Sequence, residues 1–342
     1  MSTKLGIKLP ETGERGVADW AIATTCKDRV EVVLAFVAHH LEAGAGEIHL
    51  FFDDPEDPAM DWVAGCARVV AYRCDAAHWA RLPSGRPERH QRRQGENAAM
   101  AKAATACSWI GHIDIDEFLD GPRALSEVLD DVAPEAEALR LYPLERIFTQ
   151  VPPREGVVFE GAFKRRMSKR LARRLFGDRG DLLHRGFQGH ANGKTFLRSG
   201  SAAKLHIHNA RLPGGERVAY AETEAAHLLH FFPFGYPAWR EKFSRRLQVP
   251  GTLESLNARE QAKFQLYAAA EAEGEQAVWD LFLELSCFDK RRQRRLWAAG
   301  GLYAPALDLR AAVGRVFGPE APVPAAVPAP ERIGWLTRIL GW

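Results

Sequence analysis

Residues 109–120 read WIGHIDIDEFLD, and two carboxylates, Asp114 and Asp116, stand one residue apart at the end of an apolar, strand-like run. Side chains alternate along a strand, so positions i and i+2 share a face, and a strand that runs out into a loop aims both acids at one point. Hard divalent cations such as Mg²⁺ and Mn²⁺ take oxygen ligands and commonly share them with phosphate. The pair is therefore the pattern expected where a diphosphate is held through a metal. The competing reading is that two acids end a strand and cap a following helix; Glu117 is either a third acid of the site or, by preference, a residue of that helix start. His206 and His208 repeat the i, i+2 spacing, and imidazole is a common ligand of transition metals. A lone histidine, by contrast, is more often a hydrogen-bonded structural residue.

These side chains need a frame. Trp20–Cys26 reads as a buried strand, followed by a polar turn at residues 27–29. Val30–Ala43 then places Val33, Phe36, Val37, His40 and Leu41 close to helical spacing, and Gly44 and Gly46 end it. Ile48–Phe52 is a second strand, closed by Asp53, Asp54 and Pro55. Val69–Tyr72 is a third, Gln91–Cys107 an alanine-rich helix, and Trp109–Ile115 the strand that carries the acids. This alternation predicts an α/β protein with a parallel sheet, in which ligands bind beyond the carboxyl ends of the strands. Thr24, Thr25, Asp53 and Asp114 all fall at those ends.

After Asp120 the pattern changes. Leu139–Thr149 and Val157–Arg166 read as longer strands, Met167–His190 as basic and irregular, and Thr195–Arg198 and Leu205–His208 as short extended pieces. Trp239–Gln248, Ala258–Ala272 and Glu275–Ser286 read as helices. The expected organisation is a loose segment 1–17, a main domain 18–235, a helical extension 236–318, a Pro/Ala linker 319–330 and a short amphipathic helix 331–342.

A net charge of only +2 gives no global field for nucleic acid. No run of apolar residues is long enough to span a membrane, and Met1–Arg15 lacks the apolar core of a signal peptide. The five cysteines have no CxxC spacing, which suits a reducing cytoplasm better than a disulfide framework or a zinc site. Two basic runs stand out, seven Lys/Arg in Lys164–Arg174 and five in Lys290–Arg295. Their ordinary reading is a solvated face. The functional one is contact with anionic lipid, an acidic glycan or a diphosphate. With the terminal Ile333–Trp342 segment, they raise peripheral contact with the inner face of a membrane.

Several pieces of the chain resemble one family. They are Thr24-Thr25-Cys26-Lys27-Asp28 with Phe36-Val37-Ala38-His39-His40; Phe51-Phe52-Asp53-Asp54; Gln91-Arg92 with Asn97; and His112 to Leu119. Gly193-Lys194-Thr195-Phe196, His206-Ile207-His208, Leu228-Leu229-His230-Phe231, Trp239 and Lys242 complete the set. In order and spacing they resemble bacterial glycosyltransferases of the family-2-like GT-A group, close to the family-92 (DUF23) enzymes, over roughly residues 18–247. The family's usual Lys-Asn-Glu after the first strand is here Lys27-Asp28-Arg29, with an acid at Glu31.

The resemblance implies a GT-A type open, mostly parallel sheet flanked by helices, with a C-terminal helical extension. It implies a metal-dependent, inverting transfer of a sugar from a nucleoside-diphosphate sugar, a UDP-sugar by preference. The acceptor would be a glycan or lipid-linked hydroxyl, in surface polysaccharide synthesis. Asp114 and Asp116 would hold Mn²⁺ or Mg²⁺, with His208 as the late histidine ligand and His230 its rival. Thr24, Thr25 and Asp53 would line the base and ribose, while Arg92, Asn97 and Lys194 would lie along the nucleotide sugar, Arg92 and Lys194 facing phosphate. An inverting transfer needs a general base. Glu145, Asp178 and Asp181 are the candidates, and no spacing singles one out. Two other classes stay open. A nucleotidyltransferase would want a Gly-rich phosphate loop, and residues 24–29 contain no glycine. A non-catalytic nucleotide- or sugar-binding protein on the same fold would keep the site without turnover.

Overall fold

A computed structural model describes residues 19–249 and 253–323. The segment 1–17, most of the Pro/Ala linker and the terminal helix 331–342 lie outside the described residues. In chain order the elements begin β1 (Trp20–Cys26), α1 (Val30–Glu42), β2 (Glu47–Phe52), α2 (Ala59–Val63), β3 (Val69–Arg73), α3 (Ala76–Trp79), α4 (His90–Ala104), β4 (Trp109–His112) and β5 (Glu117–Asp120). They continue α5 (Leu125–Asp130), β6 (Ala138–Leu141), β7 (Pro143–Ile147), β8 (Ala162–Lys164), α6 (Lys169–Phe176), β9 (Lys194–Arg198), β10 (Lys204–Leu205), β11 (Ala210–Arg211), β12 (Tyr220–Glu222) and β13 (His227–His230). The last are α7 (Tyr236–Leu247), α8 (Ala258–Glu273), α9 (Glu275–Ser286), α10 (Lys290–Ala298), β14 (Leu302–Tyr303) and α11 (Leu309–Phe317).

The chain forms two compact units, and neither is continuous. The first takes residues up to Pro143, then Asn192–Leu228 and Leu307–Val323; the second takes Leu144–Ala191 and Leu229–Ala306. The chain thus does not divide at residue 235. Leu139–Thr149 is not one strand either: β6 belongs to the first unit and nearly all of β7 to the second. Local periodicity carries no information about such exchanges, because each strand satisfies its pattern whichever sheet it joins.

The first unit is an α/β layer built on a mixed sheet of order β12-β6-β9-β4-β1-β2-β3. β1 pairs parallel with β2 and with β4, and β2 with β3. β9 runs antiparallel to β4 and β6, and β12 is parallel to β6. Every residue of β1 is buried, as expected of a central parallel strand covered on both faces. One face carries Ala21, Ala23, Phe51 and Ile110, which pack with Ala98 and Ala101 of α4. Alanines on both sides let the helix backbone come close to the sheet, so polar side chains nearer the start of α4 reach the strand ends.

α1 holds the next segment in place through two histidines. His40 accepts the Leu119 N–H on Nε2 at 3.2 Å and so donates from Nδ1 to the Phe36 carbonyl at 2.7 Å, which fixes its tautomer. His39 Nε2 donates to the Leu119 carbonyl. β5, directly after the acidic turn, is thereby tied to α1 through both backbone groups of one residue. Burial pushes the pKa of both imidazoles down, well below the usual value for His40.

In the second unit β14, β8 and β7 lie side by side, with β8 antiparallel to both β7 and β14. Its helices α7, α8 and α9 close on an aromatic core of Tyr236, Trp239, Phe243, Tyr267, Trp279 and Phe282. The segment Met167–His190 is not wholly irregular. It contains α6, capped by Ser168, whose side chain accepts the Leu171 N–H. Its arginines and lysine are exposed, and Ala172, Leu175 and Phe176 form a narrow buried stripe. No described helix is long and apolar enough to cross a membrane.

His40 must stay neutral to accept from Leu119, so its folded-state pKa lies below the unfolded one. The unfolded chain therefore binds more protons, and stability is lost as pH falls below about 6.5. Each such histidine should contribute a slope of about 1.4 kcal/mol per pH unit between its unfolded and folded pKa values. His40→Leu should lower stability at pH 7 and flatten that acid slope in denaturant titrations run from pH 7 to pH 5; an unchanged slope would contradict the assignment.

Candidate functional site

The carboxyl ends of β1, β2 and β4 meet where the strand order reverses about β1, the crevice in which open α/β sheets bind ligands. One helix organises all three. On α4, Arg93, Gln94 and Asn97 are buried although polar. The Arg93 Nε and Nη2 donate to the two oxygens of Asp53, each at 2.8 Å, and its Nη1 to the carbonyls of Pro87 and Glu88. Asn97 donates to the Thr25 hydroxyl at 3.0 Å, and Gln94 to Asp114 Oδ1 at 2.8 Å. A second guanidinium, Arg86, also donates to Asp53 Oδ1 at 2.9 Å. Burial pushes the Asp53 carboxyl up, but the two arginines outweigh it and hold its pKa below the usual range.

Beside Asp53 opens a cleft of about 640 Å³, lined by Lys27, Asp53, Asp54, Asp75, Trp79 and Arg86 among others. Lys27 and Arg86 are 68% and 47% exposed there, so two cations face the open space. Asp53 spends its carboxylate on arginine, and what it offers the cleft is a positioned Arg86 rather than a free acceptor for a base or ribose.

Asp114 and Asp116 do not sit on a continuous strand. β4 stops at His112, and the two acids lie half-buried in a turn before β5. The turn is closed reciprocally: the Glu117 N–H donates to the Asp114 carbonyl, and the Asp114 N–H to the Glu117 carboxylate. Glu117 is therefore neither helical nor exposed; it is the fully buried first residue of β5. Beneath it lies Lys194, also fully buried, with its ammonium 2.6 Å from Asp114 Oδ2 and 3.2 Å from Glu117 Oε2. Burial alone would lower the Lys194 pKa, but the two carboxylates raise it above the usual value. Lys194 is thus spent on the turn and presents no surface to a phosphate. At the end of β4, His112 is buried, and neither ring nitrogen is hydrogen-bonded among the described residues. Burial, then the Lys194 charge, pushes its pKa down to about 4.

Of the other expected residues, Thr25 joins the α4 array and His208 lies within electrostatic reach of His112. Arg92 is exposed on the outer side of α4, and its neighbour Arg93 is the one turned inward. Thr24 and Thr25 are buried, and only Thr25 faces α4. His206 and His208 follow β10, which ends at Leu205, so no strand alternation aligns them. The His208 carbonyl accepts from Thr195. His230 belongs to the second unit, buried with its ring centroid 4.9 Å from that of His190. Glu145 is fully buried there, paired to Lys164 and accepting the backbone N–H groups of Gln188 and Gly189. Burial opposes its ionisation, and the Lys164 charge and these hydrogen bonds overcome it, holding the pKa below the usual value. A carboxylate so engaged is a loop anchor, not a general base. Asp181 is a surface partner of Arg173 and Lys169, and Asp178 is exposed.

No family model matches the chain, and no curated protein matches it. Among solved structures, it is similar to a mycobacterial protein at 14% identity and a TM-score of 0.30, over 67% of this chain and 62% of that one. It is also similar to HddC from Yersinia pseudotuberculosis at 9% identity and a TM-score of 0.35, over 66% of this chain and 99% of that one. Likeness at this level carries no argument about activity.

The ammonium under the turn gives a direct test of how the acids are held. Lys194→Met strands a buried carboxylate and should cost about 3–5 kcal/mol in urea unfolding. Adding Glu117→Gln should recover much of that loss by removing the unpaired charge, and a double variant no more stable than the single would show that the three groups do not act together.

Proposed function

We propose that the protein is a metal-dependent glycosyltransferase of GT-A type that takes a nucleoside-diphosphate sugar, with a UDP-sugar as the favoured donor. The observation that carries this reading is the registration of three strand ends by one helix. α4 ties Thr25, Asp53 and Asp114 into a single array beside a cleft that offers Lys27 and Arg86. A 640 Å³ cleft is within the usual range for ligand sites, and guanidinium groups suit diphosphate oxygens. The sheet order, with its parallel half and one antiparallel strand, supports the GT-A assignment made from the motifs.

The donor set also suits a hard divalent cation. Lys194, paired with both Asp114 and Glu117, offsets one of the three charges on Asp114, Asp116 and Glu117, which leaves the half-buried acidic turn at a net −2 for an ion. Asp114 accepts from Gln94 on Oδ1 and from Lys194 on Oδ2. Such an ion would stabilise charge developing on the departing diphosphate. The protein's own part is to bind and orient. Arg86, held by Asp53, meets the diphosphate, and the turn clamped by Lys194 and the α1 histidines keeps the acids from moving as charge develops. The acceptor is a glycan or lipid-linked hydroxyl, in the making of a surface polysaccharide.

The chief rival is a protein that keeps the site and binds nucleotide without turnover. Thermal-shift screening of UDP, GDP, CDP and dTDP sugars with and without Mn²⁺ separates the cases. A true donor at about a hundred times its Kd should stabilise the fold by about 2.7 kcal/mol. Donor hydrolysis should require the metal and fall at least about a hundredfold in Asp116→Ala. Binding with no turnover under any metal would favour the non-catalytic reading, and activity indifferent to metal and to Asp116→Ala would reject the mechanism.

A further inference from the structure

We propose that the second unit carries a docking surface for a bilayer containing anionic lipid, formed by the exposed sides of α6 and α10. The two helices pack together through Ala172, Leu175, Phe176 and Leu296, with Phe288 between them. Arg292 lays its guanidinium over Phe176 and Phe288, at 4.8 and 4.1 Å from the ring centroids. Arg295 reaches the Arg174 carbonyl at 3.5 Å. Their outer sides expose Lys169, Arg170, Arg173, Arg174, Lys290, Arg291 and Arg294. Asp181 engages Lys169 and Arg173. The side chains of Arg170, Arg174, Lys290 and Arg291 have no ion pair among the described residues.

This arrangement works against the helices that carry it. Together they hold nine basic residues and no acid, in a chain whose 46 bases are nearly matched by 44 acids. Arg170/Arg174, Lys290/Arg294 and Arg291/Arg295 are like-charge pairs at i, i+4, which oppose helix formation. Lys169, Arg170, Lys290, Arg291 and Arg292 crowd the first turns, where the helix dipole is already positive. A face needed only for solubility would mix the signs. Segregation at a cost to local stability points to an anionic partner that relieves it. The charges spread along two adjacent helices instead of converging on one point, which fits many small, laterally mobile headgroups better than a single ligand. Half-buried Trp297, one turn beyond Arg294, has the residue type favoured at a membrane–water interface.

The surface is independent of the transferase reading and needs no donor to test. The full chain is mixed with vesicles of pure phosphatidylcholine or of phosphatidylcholine with phosphatidylglycerol, and pelleted. The expected result is binding to the anionic vesicles alone, lost at about 0.5 M salt. The combined substitution of Arg170, Arg174, Lys290 and Arg291 by Gln should weaken it about a hundredfold or more, while the melting temperature stays level or rises because the like-charge pairs are gone. Equal pelleting with both vesicles, undiminished binding of the folded variant, or capture by a soluble polyanionic glycan without binding to anionic vesicles would each overturn the proposal.

Discussion

Arg93 is a buried charge with one acceptable position. Its guanidinium meets both oxygens of Asp53 and two backbone carbonyls, and removing any partner would leave an ion uncompensated in a low-dielectric interior. A helix constrained in this way cannot slide or rotate on its sheet. A shift of one residue would turn Arg93 away from β2 and carry Gln94 and Asn97 off Asp114 and Thr25. The hydrophobic contact alone is far less particular, since the apolar side chains on the buried α4 face are Ala98 and Ala101 and alanine packs acceptably in many registers. Apolar burial brings α4 to the sheet, and the polar stripe decides where it stops.

The same logic recurs in each unit with different residues. In the first, Lys194 lies between Asp114 and Glu117, and His39 and His40 take both backbone groups of Leu119. In the second, Lys164 neutralises Glu145, which is then free to accept from Gln188 and Gly189. Gln188 is further held by Trp239, Lys263 and Ser286. Gly189 is required there, because a Cβ would come within 2.7 Å of the His230 ring. Each knot fixes a turn or loop that apolar packing could not hold, since such segments bury little surface of their own.

What was legible in the sequence divides along this line. The strands and helices of the first 120 residues could be read because their apolar spacing is a local property, and the strand ends followed from parallel topology. The polar partners were less legible. Arg92 and Arg93 are adjacent in an alanine-rich helix of weak amphipathicity, and nothing in the spacing says which faces inward. Lys194 looked like a phosphate contact because its burial depends on β9 lying beside β4, a pairing across more than eighty residues. Glu117 could be read as a third site acid or as a helix start, and only the reciprocal hydrogen bonds with Asp114 reveal a turn. One signal was available and unused: the motif set includes Phe-Val-Ala-His-His on α1, and paired histidines on a buried helix face ask what they bond to.

The charge balance at the acidic turn bears on why a lysine belongs beneath it. Asp114, Asp116 and Glu117 carry three negative charges within four residues, and in the absence of a counter-ion they would repel one another and drive one another toward protonation. A fully buried ammonium removes one charge permanently, without occupying the half-exposed side of the pair. The turn is then held whether or not a divalent ion is bound beside it. Were all three acids to depend on that ion, its departure would cost the turn its geometry. On the proposed function, a site that releases a product diphosphate would need the first arrangement, and Lys194, which pairs with Asp114 and Glu117, would then serve as scaffold.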